Sequence, residues 1–170
     1  MRLLSLWEPW ATLMALGVKT IETRSWNTAY TGPLAIHASA GGLTHPDLWN
    51  LCSEPDFKKA LAPHVPAFAY LSGGPTRALQ RHLVDSFPRG KILCVVNLIE
   101  GVRTEKIWDS YPELRAKEEP FGNYEPLRYG WVTGMIGTLK NPIPYKAKQG
   151  LNSVAPDVQA QIEEQLGWKF

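Results

Sequence analysis

Three charged side chains stand within six residues of one another, at Lys19, Glu22 and Arg24. A carboxylate between two cations can hold a polar ligand, and it can act as a general base while a lysine stabilises a developing negative charge. Charged runs also occur as solvated surface or as ion clusters that tie two elements together. We therefore treat this charge cluster (Lys19, Glu22 and Arg24) as a candidate site, with a structural ion cluster as the alternative.

The neighbouring sequence predicts how the charge cluster is positioned. A helix is expected over 9–16, because apolar residues repeat there at helical spacing, and Gly17 favours its end. A strand is expected over 20–26. Its period of two places Glu22 and Arg24 on the same face, with the lysine in the preceding turn. The cluster should therefore be compact, net positive and open to one concave cleft.

Four blocks of the sequence resemble the ASCH family of PUA-like domains. The blocks are 4–11 (LSLWEPWA), the pattern Gly-x-Lys-x-x-Glu-x-Arg that begins at Gly17, 32–38 (GPLAIHA) and 90–98 (GKILCVVNL). The resemblance is strong over 3–38, fair over 89–101 and 121–151, and absent over about 41–88. Four blocks in the same order are more specific than any single motif.

This resemblance implies both a fold and a function. The implied fold is α+β, a small, partly open β-barrel of the PUA-like type with flanking helices. The implied function is binding of RNA, or of a flipped or free nucleoside, in a cleft over Lys19, Glu22 and Arg24, in RNA metabolism. Some small relatives instead hydrolyse the amide of N4-acylated cytidines, and another type of member cleaves single-stranded RNA.

Position 22 bears on the choice between a binding module and an enzyme. In the amidohydrolase branch a threonine occupies this place, where its hydroxyl can act as a nucleophile or position the attacking water. Here the residue is Glu22, whose carboxylate could still act as a general base beside Lys19. These two residues are the catalytic candidates if the chain is an enzyme. We expect binding with slow or undetectable turnover, and hydrolysis is the alternative.

Two more residues are candidates for ligand binding. Trp26 follows the charged strand, where its ring could stack on a base beside Arg24, although most aromatic side chains belong to a core. His37 ends a strand that the family places beside the charged turn. It either contacts a ligand or is a half-buried histidine that is hydrogen-bonded to the backbone.

Two polar segments of the second half are expected to face water. Glu118 belongs to an acidic turn, so Glu118→Ala should harm the protein less than Glu22→Ala. The basic turn (146–149) could line the rim of the cleft, but a solvated position is the simpler interpretation.

Composition and motifs exclude several classes of protein. Hydrophobic and charged fractions of 44% and 20% are those of an ordinary globular chain. A net charge of +2 is too small to indicate nucleic-acid binding without a local basic patch. The phosphate-binding loop, serine-hydrolase elbow and dinucleotide turn are all missing, and the four histidines and two cysteines lack zinc spacing. We expect neither a metal nor another cofactor.

The location and the domain organisation are also predicted. Cys52 and Cys94 fit no disulfide motif, no signal-peptide core is present, and no apolar run is long enough for a bilayer. A cytoplasmic protein without membrane contact is expected. One domain should cover 1–170, with 41–88 as a helical insertion packed against the barrel.

Periodicity and turn residues give the expected elements. Strands are predicted over 2–7, 20–26, 34–38, 92–102, 129–137 and 141–144. Helices are predicted over 9–16, 46–51, 55–62, 76–86 and 156–166.

Overall fold

The computed structural model describes residues 1–170 as one mixed sheet of six strands surrounded by seven helices. The strands are β1 (Arg2–Leu6), β2 (Ile21–Arg24), β3 (Gly32–Ala38), β4 (Lys91–Arg103), β5 (Tyr129–Pro144) and β6 (Leu151–Ser153). The helices are α1 (Trp10–Ala15), α2 (His45–Ser53), α3 (Pro55–Leu61), α4 (Arg77–Asp85), α5 (Thr104–Ser110), α6 (Arg115–Glu118) and α7 (Pro156–Leu166). None of them has both the length and the apolar composition that crossing a bilayer requires.

The sheet is an open half-barrel. Its strand order is β2-β5-β4-β3-β1-β6, so β2 and β6 are free edges. Only β1 and β3 pair in parallel, and the other neighbours are antiparallel. The register between β4 and β5 shifts at three points, and such bulges bend and twist long strands. The predicted α+β fold, a small, partly open barrel with flanking helices, is confirmed.

Both faces of the sheet are covered, because the central strands carry apolar residues at odd and at even positions alike. On one face, Leu4 and Ile36 pack with Met14 of α1. On the other face, Leu3 and Ala35 belong to the core that also holds residues of α7. Alternate side chains of a strand point to opposite faces, so each strand contributes to both layers. Helix α1 is therefore fixed against the sheet directly before the charged strand.

The predicted elements differ from the structure in two respects. The strands expected over 129–137 and 141–144 are one continuous strand, β5, whose bulges absorb the bends that its glycines suggested. Helices α5 and α6 and strand β6 were not predicted. The last two have only four and three residues, which is too short to show a periodic pattern.

The stretch 41–88 forms α2, α3 and α4 and the 3₁₀ segment Pro66–Gly73. Thr44 and Thr76 cap α2 and α4, since each hydroxyl accepts a bond from a backbone N–H in the first turn. The apolar sides of these helices form a core of their own, which also includes Leu13 of α1. This core holds the helical stretch against one end of the half-barrel.

Candidate functional site

Helix α1 and the turn after it place the charge cluster at the start of an edge strand. Gly17 ends the helix region with a φ of +68°, a left-handed conformation that suits glycine. On β2, Glu22 and Arg24 share a face as expected, and Glu22 Oε1 lies 3.2 Å from Arg24 Nε. The ammonium of Lys19 is 3.5 Å from Glu22 Oε2. The carboxylate therefore contacts both cations.

Lys19 lies behind this carboxylate. Its side chain is only 1% exposed, and its ammonium donates a hydrogen bond to the carbonyl of Ile21. The lysine does not line the cavity described below, whereas Glu22 and Arg24 do. The expectation that all three charges open to one cleft is therefore wrong for Lys19, because its chain folds under β2. In this position the lysine balances the charge of Glu22.

The prediction that Glu118 belongs to a solvated acidic turn is wrong. Glu118 lies at the end of α6 and is 0% exposed. One carboxylate oxygen accepts bonds from the backbone N–H and the hydroxyl of Thr20, at 2.7 and 2.6 Å. The other accepts from the N–H of Ile21 at 3.2 Å. Glu118 thus accepts hydrogen bonds from the free edge of β2. No local pattern around Glu118 indicates that its partners are Thr20 and Ile21.

The segment after Glu118 continues along the same edge. The N–H of Asn123 donates to the hydroxyl of Thr23 at 3.1 Å. A side chain at Gly122 would meet the Tyr124 ring at 2.7 Å, so only glycine allows this close approach. The segment 118–124 is therefore held beside β2 by hydrogen bonds and close packing, and it forms one wall of a cavity.

This cavity has a volume of about 680 Å³, in the range of small-molecule and nucleotide sites. It lies between the ends of β1 and β2, the helical stretch, the 118–124 segment and the basic turn (146–149). The lining residues are Ser5, Leu6, Trp7, Trp10, Glu22, Thr23, Arg24, Ser39, Leu51, Phe57, Pro120, Phe121, Gly122, Asn123, Arg128, Ala147, Lys148 and Gln149.

Three cations face the cavity. Arg24 donates from Nη2 to the carbonyl of Ser5 at 3.2 Å and is paired with Glu22. Arg128 donates to the carbonyls of the 118–124 segment and of β2 and forms no ion pair. Lys148, on the basic turn, is exposed and also has no ion pair. Lys148 and Gln149 are exposed, as expected, and they also line the cavity, which was the alternative interpretation of this turn.

Aromatic side chains form much of the remaining wall. Trp7 lines the cavity and is 53% exposed, and Trp10, Phe57 and Phe121 also line it. Trp26 does not line it. That side chain is 37% exposed and packs edge-on against buried Trp131, with the ring centroids 4.7 Å apart. The aromatic side chain available to a ligand is therefore Trp7, at the turn before α1.

His37 also lies outside the cavity lining. Its Nε2 bonds the carbonyl of Tyr145 at 2.9 Å. That nitrogen must therefore carry the proton, so Nδ1 accepts from the hydroxyl of Ser5 at 2.8 Å. Burial lowers the pKa of His37, which favours the neutral ring. The histidine holds Tyr145, directly before the basic turn, and Asn152 binds the carbonyl of Lys148 on the other side.

In the sequence, Glu8 lies between Trp7 and Trp10, which both line the cavity, and its side chain is buried. Its Oε2 accepts from the N–H of Thr12 at 3.1 Å, and its Oε1 has no hydrogen-bond partner. Burial raises the pKa of Glu8 from 4.5 to about 7, although Arg89 nearby opposes the shift. The residue therefore titrates close to neutral pH.

This shift predicts how stability depends on pH. Between pH 4.5 and about 7 the folded state keeps a proton on Glu8 that the unfolded state releases, so stability falls as pH rises. Glu8→Gln removes the titration, and we expect its stability to change less between about pH 5 and pH 8. Urea unfolding of both proteins at the two pH values measures this. Equal pH dependence in the two proteins contradicts the assignment.

The arrangement offers binding groups of two kinds, cations and exposed aromatic faces, beside one carboxylate. Sequence reasoning missed Trp7 and Arg128 as lining residues of the cavity and gave Glu118 an exposed position. Trp7 lies in a block that the family shares, which was an available indication, whereas Arg128 has no local one. No group of three or more His, Cys, Asp or Glu side chains is placed to hold a metal ion.

The chain is similar in sequence to known proteins. The model of the ASCH domain family matches residues 4–142. Human activating signal cointegrator 1 is 25% identical over 119 residues, which make up 69% of this chain. The chain spans only 17% of the length of that relative.

Two solved structures align with nearly the whole chain. The crystal structure of ASCH from Zymomonas mobilis is 14% identical, with a TM-score of 0.49, and the alignment covers 96% of this chain and 93% of that one. A mutant of the Zymomonas mobilis protein is 12% identical, also with a TM-score of 0.49, and the alignment covers 96% of both chains.

Proposed function

Because this chain belongs to the ASCH domain family, whose members are generally RNA-binding PUA-like domains, we propose that it binds RNA or a nucleoside in the cavity over Glu22 and Arg24. Single-stranded RNA is the ligand that the site favours. The protein would then be a binding module of RNA metabolism, acting in the cytoplasm.

One observation carries this proposal: cations and an exposed aromatic ring face the same cavity. A base needs a flat apolar partner, and Trp7 presents one at the mouth. The phosphate and sugar of the same nucleotide need donors, which Arg24, Arg128 and Lys148 supply. Both parts of a nucleotide therefore have a counterpart within one cavity of about 680 Å³.

Hydrolysis of an N4-acylated cytidine, or cleavage of single-stranded RNA, is the second candidate. The carboxylate of Glu22 lines the cavity, where it could accept a proton from an attacking water or a ribose hydroxyl. However, the Lys19 ammonium lies behind that carboxylate and is bound to Ile21 O and Glu22, so it is poorly placed to stabilise an oxyanion on a ligand. This placement supports binding over catalysis.

Binding of a short single-stranded RNA is therefore expected to weaken steeply as salt rises. The log–log slope should be roughly −0.7 for each phosphate that is neutralised. Lys148→Ala should reduce the slope by about one phosphate, whereas Lys140→Ala, an exposed lysine outside the cavity lining, should leave it unchanged. Fluorescence anisotropy at several salt concentrations measures both slopes.

Incubation with N4-acetylcytidine tests the amide hydrolysis of the second candidate. We expect little or no cytidine to form. Rapid conversion that Lys19→Ala abolishes would establish the enzyme instead. Binding that is independent of salt, without turnover, would argue against an RNA strand as the ligand.

A further inference from the structure

We propose that Arg24 and Arg128 form a clamp for a phosphate group, so that the cavity binds a phosphate-bearing nucleotide unit in preference to a free nucleoside. The proposal rests on the proposed function and makes the ligand more specific. It also assigns a binding role to Arg128, which precedes β5 and belongs to no motif of the sequence.

Arg24 and Arg128 line the same cavity and lie at neighbouring positions of the β2–β5 edge. In the antiparallel pairing of β2 with β5, Arg24 lies opposite Tyr129, the residue that follows Arg128. The Nη2 atom of Arg128 lies 3.5 Å from the carbonyl of Thr23, the residue before Arg24. Both side chains line the cavity. Both arginines therefore reach the cavity near the end of the β2–β5 pairing.

Backbone carbonyls hold each guanidinium in place. Arg128 Nε donates to the carbonyl of Asn123 at 3.2 Å, and Arg24 Nη2 donates to the carbonyl of Ser5 at 3.2 Å. Carbonyl groups orient an arginine without neutralising it, although Arg24 is also paired with the carboxylate of Glu22. In both residues Nη1 makes no hydrogen bond within the protein. Each side chain is therefore ordered beforehand and keeps a donor for a ligand, which lowers the entropic cost of binding.

The charges around the cavity favour an anion. Glu22 is the only acidic residue of the lining, and buried Lys19 already contacts its carboxylate. Arg128 has no acidic partner at all. A neutral nucleoside that filled the cavity would remove water from these cations without providing a negative charge that compensates the loss of hydration. A phosphate would instead accept charge-assisted bonds, and its geometry matches the guanidinium fork.

The test compares cytidine, cytidine 5′-monophosphate and the dinucleotide cytidylyl-3′,5′-cytidine by isothermal titration. The last probe carries an internal phosphodiester and no terminal phosphate. We expect at least one phosphorylated probe to bind roughly 10- to 100-fold more tightly than cytidine. Comparison of the affinities of the two phosphorylated probes shows whether the clamp binds a terminal phosphate or a phosphodiester.

Arg128→Gln should remove most of this preference, measured as the ratio of the affinities for the phosphorylated probe and for cytidine, and Arg128→Lys should restore part of it. If the small probes bind too weakly to measure, an oligocytidine should show a salt slope smaller by about 0.7 for Arg128→Gln. Equal affinity for all three probes, or an unchanged slope, overturns the clamp while RNA binding by the cavity stands. Failure of the wild-type protein to bind any RNA or nucleoside overturns the proposed function itself.

Discussion

Replacing Glu118 with alanine is expected to lower the free energy of unfolding by roughly 2–4 kcal/mol. The substitution leaves the buried backbone N–H of Ile21 and the part-buried N–H of Thr20 without an acceptor. An unsatisfied buried donor costs about 1–3 kcal/mol, and the part-buried donor adds a smaller loss. Chemical denaturation of the purified variant measures the loss.

Glu119 provides the matched control, because it is the adjacent residue and has the same side chain. Its carboxylate is exposed and pairs with Arg115 one helical turn away, at 3.2 Å. Such surface pairs contribute well under about 1 kcal/mol, so Glu119→Ala should change stability little. If the two variants unfold at the same denaturant concentration, the anchoring role of Glu118 is wrong.

Replacing Glu22 with alanine is expected to cost a similar amount, about 3–5 kcal/mol, because the buried ammonium of Lys19 loses its carboxylate. The expectation that this variant is much more harmful than Glu118→Ala depended on an exposed Glu118 and has to be abandoned.

A double-mutant cycle isolates the pair. Lys19→Met removes the charge that Glu22→Ala leaves uncompensated, so the double variant should be more stable than the sum of the single losses implies. Additive losses would mean that the two residues do not depend on each other.

The charge cluster could be predicted because it depends on local geometry. Residues two apart on a strand share a face, so the contact of Glu22 with Arg24 follows from spacing alone. The depth of Lys19 does not follow, since it depends on how the turn after Gly17 packs under β2. The spacing of charged residues predicts which of them share a face of a strand. It does not predict whether a charged side chain lies inside the protein or faces the cavity.

Contacts between distant segments could not be predicted. Glu118 and Thr20 are far apart in sequence, and only the path of the chain after α5 brings them together. The same limit applies to Lys148, which reaches the cavity because His37 and Asn152 hold the two sides of its turn. Trp7, and not the candidate Trp26, lines the cavity for a related reason. Proximity in sequence to the charges did not decide which ring faces the cavity.

The affinity of a short single-stranded RNA for Trp7→Ala and Trp26→Ala tests most directly whether the cavity is the binding site. Both tryptophans are partly exposed, but only Trp7 lines the cavity. Loss of a stacked base costs about 1–3 kcal/mol, so Trp7→Ala should weaken binding by roughly 5- to 150-fold at constant salt. Trp26→Ala should bind like the unmodified protein. Full affinity in Trp7→Ala, or a loss confined to Trp26→Ala, would contradict an RNA site in this cavity.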